Sequence, residues 1–312
     1  MAEPLENLFA SFTYGLTDEP RFGSFVLKDI NPLSGTVKQR PIYPPNDAMR
    51  VLQRQVVGWL RGIAVPLPYS TGGQRGNSPL GNVRRHAHNR YFFLTDLKGA
   101  FENLLVGRVV QALTQIAPQL AQEAITIEAF LWRYCATPSG GIPTGSPSST
   151  LMFNLTLGAL LDENLGKYCN ENNIIYTRYI DDLTFSSLAL ITKAQRREIR
   201  RIITSAGLVI NEQKTQVLDL AKQPIVINGI GLELGGRTFV PGAYRRRLQG
   251  MLRRAIKLGD VPPDEIHGRM GAVQACLGTS SWLAFNRSEA RLMSLYMTWR
   301  ESQQGRPIRR TA

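Results

Sequence analysis

The sequence predicts an α+β fold, in which short strands form antiparallel sheet and amphipathic helices cover it. Three observations carry that expectation. Tyr91-Phe92-Phe93-Leu94-Thr95 is a buried-strand run that ends in Asp96. Asn173-Ile174-Ile175-Tyr176-Thr177-Arg178-Tyr179-Ile180-Asp181-Asp182-Leu183-Thr184-Phe185-Ser186 sets an Asp-Asp pair between two apolar runs, which reads as a β-hairpin with carboxylates at its tip. Helical spacing recurs elsewhere, at Met49, Leu52, Val56, Trp59 and Leu60 and again at Leu248, Met251, Leu252, Ala255 and Ile256. With 312 residues, 43% of them apolar, the chain can bury a sizeable core and form two or three subdomains.

In chain order, residues 1–35 carry Pro4, Pro20 and Pro32 among several glycines and are expected to form an N-terminal cap of short helices and loops. Lys38-Gln39-Arg40-Pro41-Ile42-Tyr43-Pro44-Pro45 is a basic extended segment, and a helix over Met49–Leu60 follows. Residues 66–90, rich in Pro, Gly, Asn, Arg and His, read as a long polar loop before the first strand. Helices are expected around Val106–Leu120 and Ala124–Tyr134, broken near Pro118. The Gly/Pro-rich loop Ser139–Pro147 leads into a helix that starts at Ser148, a natural cap, and runs to about Asn172. After the hairpin, Thr192–Ala206 reads as a basic amphipathic helix, with Arg196, Arg197, Arg200 and Arg201 set against Ile199, Ile202 and Ile203. Ile225–Leu232 reads as a strand with glycine breaks. From Pro241 a helix places Arg245, Arg246, Arg247, Arg253, Arg254 and Lys257 around its apolar stripe, and Asp260–Cys276 and Ser288–Glu301 read as further helices. Arg300, Arg306, Arg309 and Arg310 make a basic tail.

The chain has 37 Lys+Arg against 24 Asp+Glu, a formal charge of +13, which points to a polyanion as partner. Its three cysteines are far apart and form no Cys-x-x-Cys, so neither a disulfide framework nor a zinc site is expected; they suit a reducing, cytoplasmic setting as small core residues. Met1–Glu6 is acidic rather than the start of an export signal. The longest apolar-rich stretch, Leu151–Leu161, contains Asn154 and Thr156 and is too short to span a bilayer, so no membrane partner is expected.

Adjacent carboxylates repel unless a cation neutralises them, and a hard divalent cation with oxygen ligands does this well. Neighbouring residues of one strand point to opposite faces, so a turn must bring at least one of Asp181 and Asp182 to a common site. An Asp-Asp pair alone is also ordinary turn composition. Asp96 at the end of a second strand changes that reading, because three carboxylates can hold two Mg²⁺ ions about 3.5–4 Å apart for in-line displacement at phosphorus.

Four blocks then fall in order: Asp96 with Phe101; Gly141-Ile142-Pro143-Thr144-Gly145-Ser146-Pro147-Ser148-Ser149; Tyr179-Ile180-Asp181-Asp182; and Gly207-Leu208-Val209-Ile210-Asn211-Glu212-Gln213-Lys214. Residues 36–235 resemble the fingers and palm of a reverse transcriptase, most closely the bacterial retron and group II intron relatives. The resemblance implies a right-hand polymerase, with an N-terminal cap over 1–35, fingers and palm over 36–235, and a small helical thumb with a basic tail over 236–312. It implies two Mg²⁺ ions held by Asp96 and Asp181, with the Leu97 carbonyl as a further ligand and Asp182 nearby, and dNTP substrates. Lys38 and Arg40 match the basic fingers block that meets the incoming triphosphate. Phe101 stands at the sugar-checking position, Thr144 and Gly145 lie in the block beside the nascent base pair, and Lys214 stands near the triphosphate. Thr144 replaces the usual Gln, and Ile180 stands where retrons carry Ala.

Asn82-Val83-Arg84-Arg85-His86 resembles the retron Asn-Ala-x-x-His element, and Ile227-Asn228-Gly229 lies where retrons commonly have Val-Thr-Gly. Both regions are linked in that family to recognition of the cognate RNA, which makes Asn82, His86, Asn228 and Gly229 candidate RNA-binding residues. Tyr179 is expected near the primer end, and Arg245, Arg246, Arg253 and Arg254 along the duplex backbone. The retron likeness further implies a structured RNA template, a branched RNA–DNA product and an effector partner in antiphage defence. A group II intron-like or other defence reverse transcriptase that makes no branched product, and a catalytically inactive RNA-binding scaffold, share parts of this pattern. No room for a maturase or endonuclease module is expected after the thumb, which disfavours a full intron protein. Oligomeric state is not legible.

Overall fold

The structure is a computed structural model that describes residues 4–30, 37–278 and 285–304, the side chains of 28–30, 37–40 and 304 excepted. In chain order its elements are α1 (Leu5–Ser11), β1 (Phe25–Ile30), β2 (Val37–Ile42), α2 (Asp47–Ile63), α3 (Pro79–Arg85), β3 (Tyr91–Asp96), α4 (Val106–Ile116) and α5 (Ala124–Cys135). Next come α6 (Ser149–Leu157), α7 (Glu163–Glu171), β4 (Ile175–Tyr179), β5 (Asp182–Ser187), α8 (Lys193–Ser205) and β6 (Gln216–Asp219). The last part holds β7 (Ile225–Ile227), β8 (Ile230–Leu232), β9 (Thr238–Phe239), α9 (Gly242–Leu258), α10 (Pro263–Leu277) and α11 (Arg287–Gln304). The expected mixture of helices and antiparallel sheet is present: β1 pairs antiparallel with β2, and β7-β8-β9 is an antiparallel sheet. A four-stranded sheet has the order β4-β5-β3-β6.

The chain divides into two compact units. The first comprises Met1–Gly76, Phe93–Phe185 and Ile191–Gln216. Its core gathers Leu52, Val56 and Leu60 of α2, Phe93 of β3, Leu113 of α4, Ile127 of α5, Phe153 of α6 and Phe185 of β5, all buried. Each such side chain contributes about 1.5–3 kcal/mol by leaving water. Local signals agree with this packing. Asn46 caps α2 by accepting from the Met49 N–H, and Thr192 and Gln195 form a reciprocal capping box at the start of α8. α6 and α7 are one helical run interrupted by a π turn at Gly158–Asp162, which shifts the helical phase of α7 relative to α6.

The second unit comprises Asn77–Phe92, Ser186–Leu190 and Val217–Ala312. It buries Val83 of α3, Ile225 and Ile227 of β7, Leu248 and Leu252 of α9, Ile266 and Met270 of α10, and Leu292 and Trp299 of α11. Glu289, 1% exposed, is satisfied by the Val240 and Asn286 N–H groups and by Arg237.

Several sequence expectations change. Residues 66–90 contain a helix, α3, with Ser78 capping through the Gly81 N–H and Pro79 in the first turn. Ile225–Leu232 is a hairpin, because Asn228 (φ 48°) and Gly229 (φ 80°) adopt the positive φ pair of a primed turn. The N-terminal segment includes a strand, β1, beside its helix. Ser148 precedes α6 without capping it; its hydroxyl donates to the Cys135 sulfur at 3.6 Å. The three cysteines are buried, as their core role requires.

Candidate active site

β3 delivers Asp96 at its last residue, and the β4–β5 turn delivers Asp181 and Asp182. One oxygen from each carboxylate lies within 4.8 Å of the others. The Leu97 N–H donates to the Asp181 carbonyl at 3.0 Å, which ties the strand end to the turn. The segment after α8 closes the other side: Leu97 bridges to Ile210, the Asn211 N–H donates to the Asp96 carbonyl at 2.8 Å, and Asn211 Nδ2 donates to Asp96 Oδ2 at 3.0 Å. Lys214 Nζ sits 2.9 Å from Asp96 Oδ1.

Electrostatics follow from this crowding. Burial pushes the Asp181 carboxyl above its ordinary range, and the Asp96 charge adds to the push; Lys214 and Arg178 oppose it. Lys214 loses basicity through burial, but its hydrogen bond to Asp96 and the charges of Asp96, Asp182 and Asp181 outweigh that loss and raise it. Three carboxylates facing one ammonium leave an excess of negative charge on hard oxygen donors. That donor set fits a hard divalent cation, and Asp96, Asp181 and Asp182 are the residues that would hold it.

The turn that presents the pair is strained. Ile180 has φ 59°, a value at which a β-branched residue is an outlier and which costs about 1–3 kcal/mol. A two-residue hairpin turn with positive φ at its first position favours glycine there. Gly72 lies against Ile180 so closely that an added Cβ would stand 2.6 Å from the Ile180 nitrogen. Arg178, two residues earlier on β4 and fully buried, donates to the Ile180 carbonyl at 2.9 Å. The same guanidinium grips Asp162 at 2.6 Å and Asn154 at 3.0 Å, and Tyr176 donates to Asp162 at 2.7 Å. Arg178, Asp162 and Asn154 were missed by sequence reasoning; a charged residue inside the apolar run of β4 was the available signal.

Phe101 lies in the turn between β3 and α4, half-buried, its ring stacked on Phe153 at 4.5 Å. Phe153 in turn lies 5.5 Å from the Arg178 guanidinium. Thr144 and Gly145 are exposed in their loop, with Gly145 at φ 87°. The loop enters at Gly141, where a Cβ would overlap the Glu102 backbone at 2.2 Å. Tyr179 is half-buried at the end of β4. Lys38 and Arg40 are on β2, and their side chains lie outside the described residues.

The other candidates sit in the second unit. Asn82 and His86, 1% and 0% exposed, present no surface for an RNA to touch. Asn82 Nδ2 donates to Asn228 Oδ1 at 2.6 Å, fastening α3 to the β7–β8 turn, where Gly229 is exposed. His86 Nδ1 is 2.6 Å from the Ser186 hydroxyl, which also accepts from Asn89 Nδ2 at 2.7 Å. Burial, with the Arg85 charge, pushes His86 down to about 3, so the ring is neutral at pH 7. On α9, Arg246 and Arg253 are exposed, Arg254 donates to Asp260 at 2.8 Å, and half-buried Arg245 reaches the Val240 carbonyl at 3.4 Å.

A strand end and an adjoining hairpin converge three aspartates, an arrangement suited to a nucleotidyl-transfer polymerase that works with divalent cations. Residues 28–232 match the family described as reverse transcriptase (RNA-dependent DNA polymerase), and the chain belongs to that family. Its curated relatives include retron reverse transcriptases. It is 32% identical to the Ec86 enzyme of Escherichia coli over 183 residues, covering 57% of this chain and 54% of that one. It is 26% identical to the Ec83 enzyme of Escherichia coli over 197 residues (62% and 59%) and 24% identical to the Mx65 enzyme of Myxococcus xanthus over 242 residues (73% and 56%). The chain thus spans little more than half the length of these relatives. A solved structure of telomerase from Candida albicans, in complex with a TWJ fragment of telomeric RNA, superposes with a TM-score of 0.51 at 10% identity, covering 96% of this chain and 59% of that one. At that identity the likeness speaks for the fold. Among the described residues no helix is long and apolar enough to cross a membrane.

Proposed function

We propose that the chain is an RNA-directed DNA polymerase of the retron type. The observation that carries this reading is the convergence of Asp96, Asp181 and Asp182 within 4.8 Å in a chain of the reverse transcriptase family. Two bound Mg²⁺ ions would lower the pKa of the primer hydroxyl and offset charge on the triphosphate and the departing pyrophosphate. Asp96 and Asp181 hold that site, with Asp182 and the Leu97 carbonyl contributing to it. Lys214 pairs with Asp96 and orients it, and its raised pKa leaves it charged beside an incoming dNTP. Phe101, backed by Phe153, excludes a sugar 2′-hydroxyl and so favours deoxynucleotides. Thr144 and Gly145 face the nascent pair from their exposed loop, Tyr179 meets the primer end, and Lys38 and Arg40 meet the triphosphate.

We assign 36–235 to fingers and palm and 236–312 to a thumb, where Arg246 and Arg253 track duplex phosphates with Arg245 and Arg254 beside them. Asn82 and His86 act on RNA indirectly, by fixing the surface that carries Asn228 and Gly229. As the finer part of the same proposal, drawn from the retron likeness, the chain copies a structured RNA template, makes a branched RNA–DNA product and works with an effector partner in antiphage defence. The core test is primer extension by the purified protein on an RNA template with dNTPs and Mg²⁺. Template-dependent DNA synthesis that EDTA stops is the expected result, and no synthesis on any RNA template contradicts the reading. For the retron layer, nucleic acid extracted from protein expressed with its native locus should be a short DNA joined to one structured RNA through an RNase-resistant branch. Unbranched cDNA there moves the protein to another reverse transcriptase lineage.

A further inference from the structure

We propose that Arg178 is a positioning residue, which holds the strained Ile180 turn and thereby sets where Asp181 and Asp182 present their carboxylates. The inference rests on the polymerase reading of that site. Buried charge is expensive and persists where something depends on it. Arg178 is 0% exposed, and its guanidinium is used on every side: Nε and Nη2 on Asp162, Nη1 on Asn154 and on the Ile180 carbonyl. Its backbone is fastened too, the N–H donating to the Tyr69 carbonyl at 2.8 Å and the carbonyl accepting from the Thr71 N–H at 2.7 Å.

Two of its partners, Asp162 and Ile180, lie at irregular backbone. Asp162 closes the π turn between α6 and α7, a feature that re-aims a side chain within a helix. Asn154 on α6 also donates to the Gly72 carbonyl at 2.9 Å, and Gly72 is the residue pressed against Ile180. One buried cation therefore joins α6, the π turn, the Ser70–Gly73 loop and the positive-φ residue that immediately precedes Asp181. A network that served stability alone would have no need to end on the carbonyl of the strained turn residue. A lysine keeps the charge opposite Asp162 but lacks the planar fork that reaches the turn at the same time.

The protein is tested with Mn²⁺ as the probe, its binding read by electron paramagnetic resonance beside thermal stability and duplex affinity. Arg178→Lys should fold, bind an RNA–DNA duplex as the wild type does, and bind Mn²⁺ about tenfold more weakly, the scale of lost outer support at metal sites. The Mg²⁺ midpoint of extension should rise in parallel. Adding Ile180→Gly, which relaxes the positive-φ requirement, should recover much of the lost Mn²⁺ affinity. A folded Arg178→Lys protein with wild-type Mn²⁺ affinity overturns the proposal, since a merely structural role lowers stability without moving the affinity of the folded protein. If Arg178→Lys does not fold, Asn154→Ala removes one partner of Nη1 and must itself weaken Mn²⁺ binding; unchanged affinity there overturns the proposal equally. A wild type that neither binds Mn²⁺ nor extends a primer removes the polymerase reading and this inference together. A wild type that does both, with Arg178→Lys unchanged, removes this inference alone.

Discussion

Two buried basic side chains, one in each unit, are handled in opposite ways. Arg178 keeps its charge at 0% exposure, because Asp162 neutralises it and oxygen acceptors take up its N–H groups. His86, also at 0% exposure, gives its charge up: burial and Arg85 push it down to about 3. Its ring rests on a neutral hydrogen bond with Ser186, whose oxygen accepts from Asn89. A neutral pair suffices where the task is to fasten the end of α3 to Ser186. A charge is retained where four segments must be held against a turn residue at φ 59°. The difference shows that burial alone does not decide ionisation; the acceptors supplied by neighbouring elements do.

The largest expected break in this comparison is Arg178→Met, which leaves Asp162 buried without its cation. Urea denaturation should show a loss of about 3–5 kcal/mol, and a loss below about 1 kcal/mol would mean that the pair is not the keystone of its unit. His86 gives the next effect, and it depends on pH. Its folded pKa is depressed to about 3 from 6.5, so the unfolded chain binds the proton first as pH falls. The stability it contributes is present above pH 6.5 and declines between pH 6.5 and 3, by about 2 kcal/mol at pH 5. His86→Gln should remove that slope relative to wild type when stability is followed from pH 7 to 5; parallel curves would contradict a neutral buried ring. Arg178 stays charged throughout this window, so Arg178→Lys should show no such difference in slope. The smallest effect calibrates the other two: Thr192→Ala, at the exposed cap of α8, should cost about 1 kcal/mol in the same denaturation assay.

The carboxylate site was legible because its residues announce themselves locally. Strand-forming runs end in Asp96 and enclose Asp181-Asp182, and the structure joins them. The supporting cluster was not legible. The pairing of Arg178 with Asp162 depends on how β4 packs against a π turn, and no periodicity in Leu157–Glu163 signals that turn. Where the reading erred on the fold, the signals were present but outweighed. Ser78-Pro79 is a helix start inside a composition that otherwise reads as loop, and Asn228-Gly229 is a hairpin turn inside a run that otherwise reads as one strand. Asn82 and His86 illustrate a different limit. Their motif is plain in the chain, yet only packing shows that they are covered and bonded within their own unit.

Whether the three aspartates form the polymerase centre is decided by extension with the Asp181→Asn, Asp182→Asn double variant on an RNA template with a DNA primer, measured beside its affinity for the same duplex. Mg²⁺-dependent DNA synthesis should fall to background with duplex binding retained. Extension at the wild-type rate would contradict that assignment.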